Sequence, residues 1–158
     1  MTWTPAQLKA AYFALSPAPA SLEAAATALN VQTTTVTVPV PIADVAAYLG
    51  LVGKLGGIET FAKTPPSGAS AQSVAAAQGL WEMISSPAAF PPFDMPDATV
   101  AAAVQAMLAA LVSPGTGVTA PIDSTDQATI LGLASQTVDV WQPAVTAGDV
   151  QTALDLVA

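Results

Sequence analysis

Apolar and polar positions along most of this chain recur with helical period. In TPAQLKAAYFALS, Leu8, Ala11, Tyr12 and Leu15 fall three or four residues apart, with Thr4 placed to cap, Pro5 in the first turn and Ser16-Pro17 as the stop. A second helix follows Ser21, with Leu22, Ala25, Ala26 and Leu29 on one face and Asn30 at its end; the two helices are expected to form a hairpin across SPAPA. IADVAAYLGLVGKLGGIETFAK resumes the period through Ile42, Val45, Leu49 and Val52. Gly56-Gly57 should end or kink it, because glycine costs about 1 kcal/mol relative to alanine inside a helix, with Ile58, Phe61 and Ala62 adding a further turn. The spacing predicts a helix over 71–85 with Val74, Ala77, Trp81 and Ile84 in one stripe. Asp97 then caps ATVAAAVQAMLAALV, which turns Val100, Val104, Met107, Leu108 and Leu111 inward. Ser124 with Gln127 forms a capping-box pattern before Ile130, Leu133 and Ala134, and Thr146 with Asp149 repeats it before VQTALDLV.

One segment breaks the pattern. In VQTTTVTVPVPI, residues 31–42, Val36, Val38, Val40 and Ile42 share one face at period two, while Thr35, Thr37, Pro39 and Pro41 take the other. Backbone N–H groups at i and i+2 point to the same strand edge, so Pro39 and Pro41 blunt one edge and leave the edge served by Val38 and Val40 able to pair. The best short partner in the chain is residues 117–122; a lone strand is marginal in water, so the segment pairs with that loop, lies as an arm on the helices, or augments a neighbouring subunit. Pairing with a neighbour in an assembly is expected.

The fold class expected is therefore mainly α: a single-domain bundle of six or seven short helices over residues 1–158, with one extended β/PPII segment near 31–42. Mobile loops are expected at about 64–70, 86–96 and 113–123, where proline and glycine gather. Within SPAAFPPFDMPD, Phe90, Phe93 and Met95 should tuck irregular backbone against the core.

Composition adds a constraint on the surface. Of 158 residues, 53% are hydrophobic and only 9% charged, against about 25% in an average globular domain. Alanine, threonine, serine, glutamine and proline must then face solvent or other proteins, and a weakly charged exterior favours burial of part of it in an assembly. Eleven acids stand against Lys9, Lys54 and Lys63, a formal net charge of −8. Such a chain repels nucleic acid and anionic lipid, so neither is expected as a partner. Its charge-free runs are broken by proline or threonine clusters and suit no membrane-spanning helix. The sequence AAYFALS followed by Ala18-Pro19-Ala20 imitates a signal peptide without a basic start, and a soluble, unprocessed chain is expected.

Chemistry is scarce. Histidine and cysteine are absent, which removes Ser-His-Asp and Cys-His machinery and the usual zinc ligands; no serine lies three residues before a lysine. GLVGKLGG has Tyr48 where a phosphate loop needs glycine and Leu55 where it needs Ser or Thr, so close helix packing with Lys54 turned to solvent is the better reading. The acid pairs Asp94/Asp97 and Asp123/Asp126 suit either helix capping or a weak hard-cation site, with capping favoured. No catalytic, cofactor-binding or metal-ligating residue is assigned, and no enzyme activity or cofactor is expected. The candidate interaction residues are Val36, Val38, Val40 and Ile42 of the extended segment, with Trp3 and Trp141 as aromatic anchors.

ALNVQTTTVTVPVPIADVAAYLGLVGKL together with ILGLASQTVDVWQPAVTAGDVQTAL resembles small proteins encoded among the structural genes of tailed bacteriophages. The resemblance is one of style and order over about half the chain. It implies a virion component near the tail or neck and carries over no functional residue. The expected function is a noncatalytic structural or adaptor protein of the virion, assembled in the host cytoplasm, with other virion proteins and copies of itself as partners. A soluble cytoplasmic binding module, such as an assembly chaperone or regulator, is the alternative.

Overall fold

The computed structural model describes residues 3–155. Among them are eight α-helices, a short 3₁₀ turn and a two-stranded sheet, so the chain is mainly helical, with one helix more than the sequence pattern suggested. The elements are α1 Pro5–Ala14, α2 Leu22–Asn30, β1 Thr33–Thr37, α3 Ile42–Leu51, α4 Leu55–Lys63, α5 Ala71–Ser85, α6 Ala98–Val112, α7 Ser124–Gly132, β2 Ser135–Asp139 and α8 Ala147–Asp155, with the 3₁₀ turn at Pro87–Ala89. No helix among the described residues is long and apolar enough to cross a membrane. Among the described residues the backbone forms two compact units: residues 3–36 with 137–155, and residues 37–136.

The first unit is built from α1, α2 and α8. Thr4 caps α1 through a reciprocal box with Gln7, its hydroxyl accepting the Gln7 N–H at 3.3 Å and its own N–H donating to the Gln7 side chain at 2.8 Å. Ser21 caps α2. Thr146 and Asp149 cap α8 in the same reciprocal way, at 2.9 and 3.2 Å; Leu156 and Val157, at the end of the predicted final helix, lie outside the described residues. The expected α1–α2 hairpin is the weaker contact, since both helices pack chiefly against α8. Leu8, Ala25, Leu29, Trp141, Val145 and Val150 form the core they enclose. Asn30 does more than end α2: its amide donates to the Val145 carbonyl at 2.8 Å and accepts the Val145 N–H at 2.7 Å.

The second unit packs α3 to α7 around Val45, Leu49, Ile58, Leu80, Leu108 and Ile122. Helices α5 and α6 occupy the spans the sequence pattern gave them, but the buried stripe of α5 is Ser73, Ala77, Leu80 and Ile84, so Val74 and Trp81 lie only half-buried at its margin. Phe90, Phe93 and Met95 do pack irregular backbone on this core.

The break after α3 falls three residues before the expected Gly56-Gly57. Gly53 takes φ +73°, its N–H bonds the Gly50 carbonyl at 3.2 Å, and the Lys54 N–H bonds the Leu49 carbonyl at 2.8 Å. Those two bonds form a Schellman stop, which needs a residue at ease in the left-handed region. Gly56 and Gly57 instead sit in the first turn of α4, and a Cβ on Gly57 would already touch the Pro121 carbonyl oxygen at 3.7 Å. The loops at 64–70 and 113–123 do not stand free but are bonded to each other. The Ser70 N–H and the buried Ser73 hydroxyl both donate to the Pro114 carbonyl, at 2.7 and 3.0 Å.

Candidate functional site

The extended segment folds as alternation requires. Val36 and Val38 are half-buried, Val40 and Ile42 are buried, and Thr35, Thr37, Pro39 and Pro41 between them are exposed. The strand itself is shorter than residues 31–42, covering Thr33–Thr37, with Val40 in an isolated antiparallel bridge to Phe93 and Ile42 opening α3.

The edge served by Val38 and Val40 is occupied within the chain, which corrects the expectation that a neighbouring chain pairs there. The Val38 N–H donates to the Ala134 carbonyl at 2.8 Å; Val40 and Phe93 exchange both backbone bonds at 2.9 Å. At the other end the Val140 N–H reaches the Gln32 carbonyl at 3.0 Å. Residue 38 therefore lies beside 134 and residue 32 beside 140, so β1 and β2 run antiparallel. The partner is thus Ser135–Asp139 rather than residues 117–122. Its signal in the sequence was the short alternation Thr137-Val138-Asp139-Val140, masked by the helical spacing of Ile130, Leu133 and Ala134 just before it.

The other proposed anchors are also occupied. Trp141 is 7% exposed, and its indole N–H donates to the Gln32 side-chain carbonyl at 3.0 Å. Trp3 is half-buried and donates to the Pro143 carbonyl at 2.8 Å. Val40, Ile42 and Trp141 are core residues whose apolar surface is consumed inside the chain. Any outward contact made by this segment falls to what remains exposed: Val31, the threonines of β1, Pro39 and Pro41.

Lys54 does not point freely to solvent. Its Nζ lies 3.3 Å from Asp123 Oδ2 and 3.3 Å from Asp126 Oδ2, while the Tyr48 hydroxyl donates to Asp126 Oδ1 at 2.9 Å. The capping box opening α7 is Asp123 with Asp126, one residue earlier than the Ser124–Gln127 pattern. Asp123 Oδ1 accepts the N–H groups of Thr125 and Asp126 at 2.9 and 3.0 Å, and Asp126 Oδ2 accepts the Asp123 N–H at 3.0 Å. Asp97 likewise accepts from Thr99 and Val100 at the start of α6, at 2.7 and 3.1 Å. These carboxylates are thus engaged in capping the starts of helices. Among the described residues no three His, Cys, Asp or Glu side chains gather into a metal-holding group.

The electrostatics follow from those bonds. Hydrogen bonds donated by Lys54 to Asp126, then to Asp123, raise its ammonium above its ordinary value. The Asp126 N–H, followed by Lys54, lowers the Asp123 carboxyl; the Val100 and Thr99 N–H groups lower Asp97, and the Thr146 hydroxyl and N–H lower Asp149. A lowered carboxylate contributes stability that is fully present above its unfolded value and is lost as pH falls through the folded one. Lys54 has the opposite sign, its contribution disappearing as pH rises through its raised value. Urea midpoints should therefore drop on acidification below the ordinary carboxylate range and again at strongly alkaline pH. Asp97→Asn, which keeps a capping side chain but cannot titrate, should give a shallower acid limb.

Among the described residues, the surface clefts within the units include three of note. One of 440 Å³ is lined by Gly56, Gly57, Thr60, Phe61, Pro66 and Pro121, among others. Another of 250 Å³ is apolar, formed by Phe93 with Val100, Ala103, Val104 and Met107. The third, 270 Å³, lies along the sheet between Thr34, Val36, Val138 and Val140. Asp139, beside this third cleft, is the one titratable side chain in any of the three linings. Comparison with protein-family models, with curated proteins and with solved structures gives no match.

Proposed function

We propose that the chain is a noncatalytic structural or adaptor protein of a bacteriophage particle, working in the tail, neck or fibre-attachment region through contacts with other virion proteins and with copies of itself. The observation that carries this reading is the surface. With 9% of residues charged, the exterior presents Leu51 at 86%, Val31 at 72% and Phe13 at 68% exposure. Such a weakly charged exterior suits burial against neighbouring proteins. The absence of histidine and cysteine from the sequence and the engagement of Asp97, Asp123 and Asp126 in helix caps support a noncatalytic role.

Mass spectrometry of purified particles from the phage or prophage that encodes the chain tests the proposal. The chain should be present at a fixed copy number relative to the major tail or neck proteins. Its presence in infected cells with absence from particles would overturn the virion assignment in favour of an assembly chaperone or regulator.

A further inference from the structure

We propose that the outer edge of β1, over Thr33, Thr35 and Thr37, pairs with the same edge of a second copy of this chain. This inference deepens the assembly reading and rests on it for its biological setting. In the sheet, the pairings of 38 with 134 and 32 with 140 turn the even-numbered N–H groups of β1 toward β2. Those of Thr33, Thr35 and Thr37 point the other way, and all three residues are exposed. The prolines fix the limit of this edge. Pro39 and Pro41 belong to the same odd-numbered set and have no donor, so an added strand can be held over 33–37 and no further.

The occupant follows from charge and symmetry. The chain carries a net charge of −8, yet residues 24–43 contain no acid or base, so two copies can meet at this edge without opposing their charges. The outer edge of β2 differs, because Asp139 lies on it in the same odd-numbered register. An isologous contact must be self-complementary. Antiparallel pairing centred on Thr35 places it opposite itself and sets Thr33 of each copy against Thr37 of the other, giving threonine cross-strand pairs along the whole contact. A two-stranded sheet is marginal on its own, whereas this pairing makes one continuous four-stranded sheet. The apolar face of Val36, Val138 and Val140 that lines the 270 Å³ groove would then continue across the twofold axis.

The test uses the full-length chain in analytical ultracentrifugation from low to high micromolar concentration, where a concentration-dependent dimer is expected. Thr35→Pro removes the central donor from the outward edge only; it should keep the far-UV spectrum and weaken dimerisation by about tenfold or more. Thr35→Cys, in a chain with no native cysteine, should form a disulfide-linked dimer on mild oxidation. Cα atoms of a hydrogen-bonded antiparallel pair lie about 5.5 Å apart, within reach of a disulfide. Thr33→Cys, opposed to Thr37 rather than to itself, should not cross-link. A monomer at every concentration, a dimer unaffected by Thr35→Pro, or equal cross-linking of the two cysteine variants would overturn the inference. Such a result with the chain present in purified particles would leave the assembly reading standing, whereas a threonine-edge dimer absent from particles would sustain the edge and remove the virion assignment.

Discussion

Gly115→Ala is expected to destabilise the chain by about 3–4 kcal/mol, the sum of backbone strain and weakened buried hydrogen bonds. Gly115 has φ +146°, and a Cβ built there meets the Gly68 carbonyl oxygen well inside contact distance, with the Gly68 carbonyl carbon at 3.3 Å and Ala69 Cα at 3.5 Å. These are main-chain atoms, so no side-chain rotation relieves the clash. The 113–123 loop must lift from the 64–70 loop, carrying the Pro114 carbonyl away from the Ser70 N–H and the fully buried Ser73 hydroxyl. Urea unfolding measures the loss. Gly117→Ala is the matched control: Gly117 also has positive φ, at +74°, but nothing lies within 4 Å of its Cβ position. The control should show only the conformational cost of about 1 kcal/mol. Equal losses for the two variants would mean that the backbone approach of the loops contributes nothing.

The second large effect is expected at Asn30. Its side-chain amide satisfies both main-chain groups of Val145, a residue 3% exposed and far away in sequence. Asn30→Ala removes both partners at once, and a buried backbone group left unpaired costs about 1–3 kcal/mol. A loss of about 2–4 kcal/mol in the stability of the first unit is expected. Because each unit has its own core, amide exchange should accelerate in α1, α2 and α8 and stay nearly unchanged in α5 and α6. Asn30→Asp keeps the acceptor for the Val145 N–H but loses the donor, so its midpoint should fall between those of the parent and the alanine variant.

Local rules made much of the helical framework readable. Thr4, Ser21, Asp97 and Thr146 cap helices where their side chains compete for free N–H groups, and Pro17 and Pro114 follow soon after the ends of α1 and α6. Choices made by distant partners were not readable. Glycines at 50, 53, 56 and 57 offered several stops, and the approach of Gly57 to Pro121 and the ion pairs from Lys54 to Asp123 and Asp126 accompany the one at Gly53. Strand β2 is short, follows directly on a helical pattern, and acquires its partner from about a hundred residues earlier in the chain. Ser73 gave no sign of burial because its hydroxyl is satisfied by Pro114, on another loop. The valine-and-proline alternation correctly separated two edges of the extended segment. It did not show that the competent edge was filled at home by Ala134 and Phe93, nor that the blunted edge stays open over its threonines.

That division between the two edges is the centre of the account, and residue-resolved amide hydrogen exchange at low protein concentration tests it most directly. Thr34, Val36, Val38 and Val40 should exchange slowly, because their N–H groups face β2 or Phe93. Thr33, Thr35 and Thr37 should exchange fast and become protected as concentration rises. Fast exchange at Val38 and Val40, or concentration-independent protection at Thr35, would contradict the account.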